Sequence, residues 1–340
     1  MFLVEAVNAI LPRTEGVEDI TLMKLAGTDY EVPVILPEKL QAVVRRRMLA
    51  QLRKYRDLKT EKLGEYLKKL VNVEVIKVRK EERPVSFVKA RKYVNDPKSW
   101  NCFIQPSGGE TREKATDIGM DGFCPACMLF GAVLDKTHIE IIRRDKKGET
   151  NVFGESVGIK SRVEFDPAFA ISDQAVSVAS YTHNKVADGV SWTGQSLFTE
   201  QHVVAGTIFV GRVVLEDVTE TELKAFLAVL SAIDRLGGRE RVFGTVRIHL
   251  LGIKGGSYET VSAYELAREL AKEYGERLLS IDEVKEKLKP KLEKLGFETI
   301  SEDDYKKLLD NMELWDKLWE ETTEFDRQVI RRILDILGAT

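Results

Sequence analysis

The 340-residue sequence predicts an α+β protein, and three observations carry the prediction. Two stretches read as strand–helix–strand material, one at the start of the chain and one around residues 206–251. Long loop-rich insertions separate them. From Ser257 onward the composition turns to helix-forming, charge-laced sequence with Gly275 and Gly296 as breaks. A length near twice the common domain size agrees with two domains, or with one domain carrying large insertions.

The elements follow in order. Phe2–Ile10 alternates loosely and begins a strand. Pro37 opens a helix to about Tyr55, with Leu40, Val44, Met48, Leu52 and Tyr55 on one face. Arg46 and Arg53, seven apart, lie opposite with Arg45 and Arg56. Residues 83–138 hold four prolines and five glycines in a run too long for an ordinary loop, so function or a cross-link must hold it. Residues 206–215 (GTIFVGRVVL) form an apolar, β-branched strand. Thr219 and Glu222 then make a capping box ahead of a stripe of Leu223, Phe226, Leu227, Leu230 and Ile233, closed by Gly237. Residues 242–251 are another strand. In the tail, Leu314, Trp315, Leu318 and Trp319 are packing anchors. The expected division is a discontinuous core of 1–60 and 139–256, an insertion of 83–138, and a helical domain of 257–340.

Composition excludes several classes. With 43% hydrophobic and 31% charged residues the chain buries a core and keeps a solvated surface, which excludes disorder and a disulfide-stapled miniprotein. The longest apolar run falls short of a bilayer span, and the first residues lack a basic leader. A cytoplasmic protein is expected. Asn and Gln total 14 while Lys and Glu abound, which suits a thermophilic source. The net charge of −3 hides an asymmetry: residues 39–100 carry 19 Lys or Arg against 7 Asp or Glu, and residues 257–340 carry 14 against 21. A field this directional suits a phosphate backbone, although a solvated basic helix gives the same count.

All three cysteines, Cys102, Cys124 and Cys127, fall inside the loop-rich stretch. A Cys-Pro-Ala-Cys turn brings two thiolates to one tetrahedral cation. Zinc takes four ligands, so Cys102 and His138, the one histidine in the stretch, are expected to complete a structural site with one zinc per chain. A redox pair or three buried thiols are the competing readings, and no thioredoxin-like pattern surrounds them. No catalytic-zinc motif is present.

Two further stretches suit nucleic acid. The run Gly237-Gly238-Arg239-Glu240-Arg241-Val242-Phe243-Gly244 makes a turn in which backbone N–H groups and two guanidinium forks approach phosphate oxygens. Residues 181–202 form a polar loop or hairpin with Trp192 and Phe198, aromatic rings able to stack on bases. No nucleophile–base set accompanies His183 or His202.

These pieces occur in a familiar order. Phe123-Cys-Pro-Ala-Cys-Met-Leu-Phe-Gly131 resembles the Cys-plus-LFG signature of the RAMP superfamily of CRISPR systems. Residues 158–166 resemble the strand that follows it there. His183-Asn-Lys185 with the strand from Glu200 to Phe209 resembles the superfamily's thumb hairpin, and Gly237–Gly244 its glycine-rich loop. Together they cover residues 123–250, and the chain looks most like the subtype I-D branch of the Cas-seven backbone family.

The resemblance implies an RRM-like, ferredoxin-type βαββαβ core carrying insertions, with a thumb at about 181–202; the zinc-binding insertion read from the cysteines would be one of them. It implies a non-enzymatic scaffold that coats single-stranded guide RNA, self-assembles along it and contacts other effector subunits. The RNA-gripping residues would be Arg45, Arg46, Arg53, Lys160, Arg162, Gly237, Gly238, Arg239 and Arg241, with His183, Lys185 and Trp192 in the thumb. The chain lacks the usual aromatic string of RRM sheets, so bases need not stack there. Type III relatives cleave RNA with an Asp in the loop before the first helix, and Asp29 lies in that region. A metal-dependent endoribonuclease and a zinc-stabilised assembly protein without nucleic acid are the alternatives.

Overall fold

The computed structural model describes residues 1–12, 20–71, 74–78, 81–103, 120–134, 139–140, 142–144, 150–152, 157–187, 190–237 and 243–336. It is a mixed α/β protein of two compact units. The first comprises residues 1–43, 164–214 and 230–304, and the second residues 44–163, 215–229 and 305–340. The acidic tail therefore divides between the units at residues 304 and 305.

The strands that matter below are β1 (Phe2–Ala6), β2 (Leu22–Lys24), β3 (Glu31–Ile35), β4 (Ala168–Ala170), β5 (Val176–Ala187), β6 (Val190–Val203), β7 (Ile208–Gly211) and β8 (Val246–Leu250). The helices are α1 (Pro37–Leu58), α2 (Thr60–Val71), α3 (Pro125–Phe130), α4 (Glu220–Ser231), α5 (Ala263–Tyr274), α6 (Ile281–Lys294) and α7 (Met312–Ile336).

In the first unit six strands form one sheet in the order β8-β1-β7-β4-β3-β2, every neighbour antiparallel. Phe2 pairs Gly211 on one side and Leu250 on the other. Alternation would leave one face wet, yet β7 is buried at all four residues and β4 at all three. Helix α5 packs on β4 and β7, with the Tyr264 ring edge-on to Phe169 at 5.3 Å. A capping box of Ser262 and Glu265 starts α5, and Asp166 accepts the Ala263 N–H at 3.0 Å while gripping Arg212 with both oxygens. Each ring such as Phe209 or Phe2, fully buried, stabilises the unit by about 2–3 kcal/mol through area removed from water.

Residues 181–202, expected as a loop or hairpin, lie in a hairpin of β5 against β6, in register from Val176↔Val203 to Ala187↔Val190 with an irregularity after Lys185. The backbones of His183, Lys185 and Trp192 lie in it. Its base is tied to the sheet unit by Ile10↔Val203.

Helix α4 ends earlier than its apolar stripe, at Ser231, because Arg235 leaves the helix to bridge Thr245. Gly237 is thus not its cap. It has φ +97°, and a Cβ there would lie 2.8 Å from the Leu11 carbonyl oxygen, so only glycine fits. The expected capping box at Thr219 is present: Thr219 Oγ1 accepts the Glu222 N–H at 3.1 Å, and Glu222 accepts the Thr219 N–H at 2.9 Å.

Candidate metal centre and nucleic-acid-binding residues

The Cys-Pro-Ala-Cys segment forms α3, whose first residue is Pro125, a position where proline's missing N–H costs nothing. All six residues of α3 are buried. Gly131 ends it with φ +82°, and a Cβ there would meet the Ile159 carbonyl oxygen at 2.7 Å and the Ser161 nitrogen at 2.9 Å. That contact is the physical reason for the glycine that ends the Leu-Phe-Gly run.

Cys102, Asp121, Cys124 and Cys127 bring one ligand atom each to within 4.8 Å of one another, all four buried. The Cys102 and Cys127 sulfurs are 3.6 Å apart. Zinc–sulfur bonds of about 2.3 Å in a tetrahedron set sulfurs roughly 3.7 Å apart, so the spacing suits such an ion. Three thiols and a carboxylate are also a zinc-compatible donor set. Asp121 takes the fourth place among the described residues; His138 lies outside them.

Asp121 has a second task. Its Oδ1 accepts the N–H groups of Phe123 (3.1 Å) and Cys124 (3.0 Å), and its Oδ2 accepts Trp100 Nε1–H at 2.8 Å. Burial, then the charge of Cys127, pushes its carboxyl up to about 7 against the pull of those donors. Burial likewise pushes the Cys124 thiol up. Cys127 goes the other way, held well below the thiol range by hydrogen bonds from Cys102 and Cys124, with Arg45 adding to the effect. Sequence reasoning missed Asp121, although an Asp four residues before a proline-started helix is a recognisable turn former.

Helix α1 surrounds this site with arginines. Arg45 Nη2 donates to Met120 Sδ at 2.8 Å and approaches Cys127 Sγ at 3.8 Å. Arg53 donates to the Cys102 carbonyl (2.8 Å) and to Asn101 Oδ1 (2.8 Å), and Arg56 to the Trp100 carbonyl (2.6 Å). The expectation of one outward basic face is corrected here. Arg46 is exposed, whereas Arg45, Arg53 and Arg56 are part-buried, because the chain around Trp100–Cys102 lies across their side of the helix. Trp100 in turn packs edge-on against Trp319 of α7 at 5.4 Å.

The remaining expected RNA contacts divide. Lys160 is exposed and 2.9 Å from Glu216. Arg162 is an internal side chain: it forks onto both Glu222 oxygens, donates to the Met128 and Asp217 carbonyls, and lies 4.5 Å over the Phe325 ring. Gly238, Arg239 and Arg241 lie outside the described residues, as do the side chains of His183, Lys185 and Trp192. Asp29 is fully exposed, 3.8 Å from Lys24. Among the described residues it belongs to no group of three metal-ligating side chains. No described helix is long and apolar enough to cross a membrane.

A family model described as Csc2 Crispr matches residues 1–330. The crystal structure of Thermofilum pendens Csc2 is similar over the whole chain: 36% identity, TM-score 0.68, with 100% of this chain and 89% of that chain covered. A CRISPR RNA-guided surveillance complex in its pre-nicking state gives 12% identity and TM-score 0.42 over 87% and 89% of the two chains. A Type IV-B CRISPR complex gives 14% and 0.36 over 77% and 95%. No curated protein matches. A family match spanning nearly every residue, with a solved relative above one-third identity, places this chain in the Csc2 family of CRISPR proteins, the Cas-seven-like group that its motifs resemble.

Proposed function

We propose that the chain is the repeated, non-enzymatic RNA-binding backbone subunit of a subtype I-D CRISPR effector complex. The observation that carries this reading is its full-length similarity to Thermofilum pendens Csc2. Strand order supports a ferredoxin-type, RRM-like core: β1, β4, β7 and β8 lie as fourth-first-third-second, all antiparallel, with α1 after the first strand and α4 before the last. Helix α5 covers the central strands, so bases have no open sheet on which to stack and phosphates are the natural handle. Arg46 and Lys160 are the described cations of the expected set with exposed side chains, and the hairpin β5–β6 serves as the thumb.

The insertion carries a structural zinc held by Cys102, Cys124, Cys127 and Asp121. The ion supplies a cross-link that a loop-rich segment cannot obtain from core packing. Cleavage through Asp29 has little support, since a lone exposed carboxylate holds no cation in line with a scissile phosphate.

The test is to sequence nucleic acid copurified with the native complex. Spacer-length guide RNAs are expected. Their absence, together with no salt-sensitive binding of single-stranded RNA by the purified chain, would leave the assembly-only reading.

A further inference from the structure

Deep in the second unit, Asp326 of α7 is fully buried, and neither carboxylate oxygen has a hydrogen-bond partner. Burial and like-charged neighbours keep a carboxyl in this place protonated unless a compensating charge is brought beside it. Helix α7 packs on α3, the helix of Cys127. The neighbours whose charge Asp326 feels are Asp121 and Cys127, and both oppose a negative charge. Asp121, Cys102, Cys124, Cys127 and Asp326 are all acceptors or potential anions. Arg45 is the guanidinium that reaches Cys127, and it is already turned to Met120. Among the described residues, a cation held between the thiols and the two carboxyl groups would turn the field on Asp326 from repulsive to attractive.

We propose that Asp326 is a positioning residue of the metal centre: its carboxylate is compensated by the dication bound at the cysteine cluster, and through it the metal fastens α7 to α3. This rests on the metal reading above. The role differs from that of Asp121, whose oxygens also hold the turn before α3. It also differs from an ordinary core contact, because removing Asp326 is expected to help the metal-free protein and harm the metal-bound one.

The test uses the full chain and zinc, with competition against a chromophoric chelator, and cobalt(II) as a spectroscopic probe. Asp326→Leu fills similar space without charge. It is expected to weaken zinc binding about 10–100-fold, the usual cost of losing an outer partner. It should leave the thiolate-to-cobalt charge-transfer band that reports the cysteines, and raise or preserve the melting temperature of the metal-free chain. Asp326→Asn keeps size and polarity without charge, and is expected to lose at least about threefold. Hydrogen exchange in α7 should slow on adding zinc in the parent and much less in either variant. Parental zinc affinity in Asp326→Asn, or in both variants, overturns the proposal. So does equal destabilisation of metal-free and metal-bound forms. If the parent itself binds no zinc or cobalt, the metal reading fails instead, and the two failures are told apart by that control.

Discussion

In the sheet unit the fully buried positions include Phe2, Leu3, Val4, Phe209 and Val210, side chains that ask nothing of their surroundings except exclusion of water. The second unit buries Leu63, Leu67 and Trp100 in the same way, but at its centre it also buries three thiols and the carboxylates of Asp121 and Asp326. Apolar burial is complete once the chain has folded. Polar burial is stable only with partners, and neighbouring arginines and N–H groups supply some of these, while the thiol cluster could take another from outside the chain. The sheet unit is thus self-sufficient in a sense that the cysteine unit is not.

The sharpest way to break that comparison is to withhold the proposed metal. Chelation, or Cys124→Ser with Cys127→Ser, is expected to cost the second unit about 5 kcal/mol or more and to lower its melting temperature by roughly 10–20 °C. Hydrogen exchange should rise across residues 97–103 and 120–131 and stay slow in β1, β7 and β8. Elemental analysis of dialysed protein should find about one zinc per chain.

A buried ion pair comes next. Glu222→Gln leaves the Arg162 guanidinium, 12% exposed, without its carboxylate, and should cost about 3–5 kcal/mol in urea unfolding. Glycines at similar φ give a finer contrast. Gly206, φ +86° with open space around it, should lose about 1–2 kcal/mol on change to Ala from backbone strain alone. Gly131→Ala must also push the backbone of residues 159–161 aside and should lose about 3 kcal/mol or more. Equal losses at the two positions would mean that α3 is seated less tightly than described.

Smaller effects separate outward from inward arginines. Arg46→Glu should weaken single-stranded RNA binding with almost no change in melting temperature, whereas Arg53→Glu should lower the melting temperature through the lost Cys102 carbonyl bond. Asp29→Ala is expected to change nothing: guide-loaded complex with complementary RNA and magnesium should leave the target intact in parent and variant alike. Regularly spaced products lost only in the variant would restore the nuclease reading.

Much of this architecture was legible in the sequence. The apolar stripe of α1, the capping box at Thr219 and the strand around residues 208–211 are local patterns, and local patterns read well. The thiol cluster was also legible, because spacing brings Cys124 and Cys127 together whatever the fold. Asp121 was harder, since its value depends on Trp100 and Cys102 arriving from twenty residues away. Asp326 has no local signal at all; an Asp in an amphipathic helix looks solvent-facing until α7 turns that face onto α3. The arginines of α1 misled for a similar reason. Helical periodicity assigns them to one side, but cannot say that residues 100–102 will cover part of that side.

Those inward arginines bear on how charge is counted in binding. Each phosphate neutralised on a single strand releases counterions and steepens the logarithmic dependence of affinity on salt by about 0.7. The 19 cations of residues 39–100 suggest a very steep curve. Arg45, Arg53, Arg56 and Lys89 are committed instead to sulfur and carbonyl acceptors around residues 100–127. Four charges withdrawn in this way take about 3 from the largest slope that the segment can give. A titration of RNA binding against potassium chloride therefore counts how many arginines the protein has kept for itself.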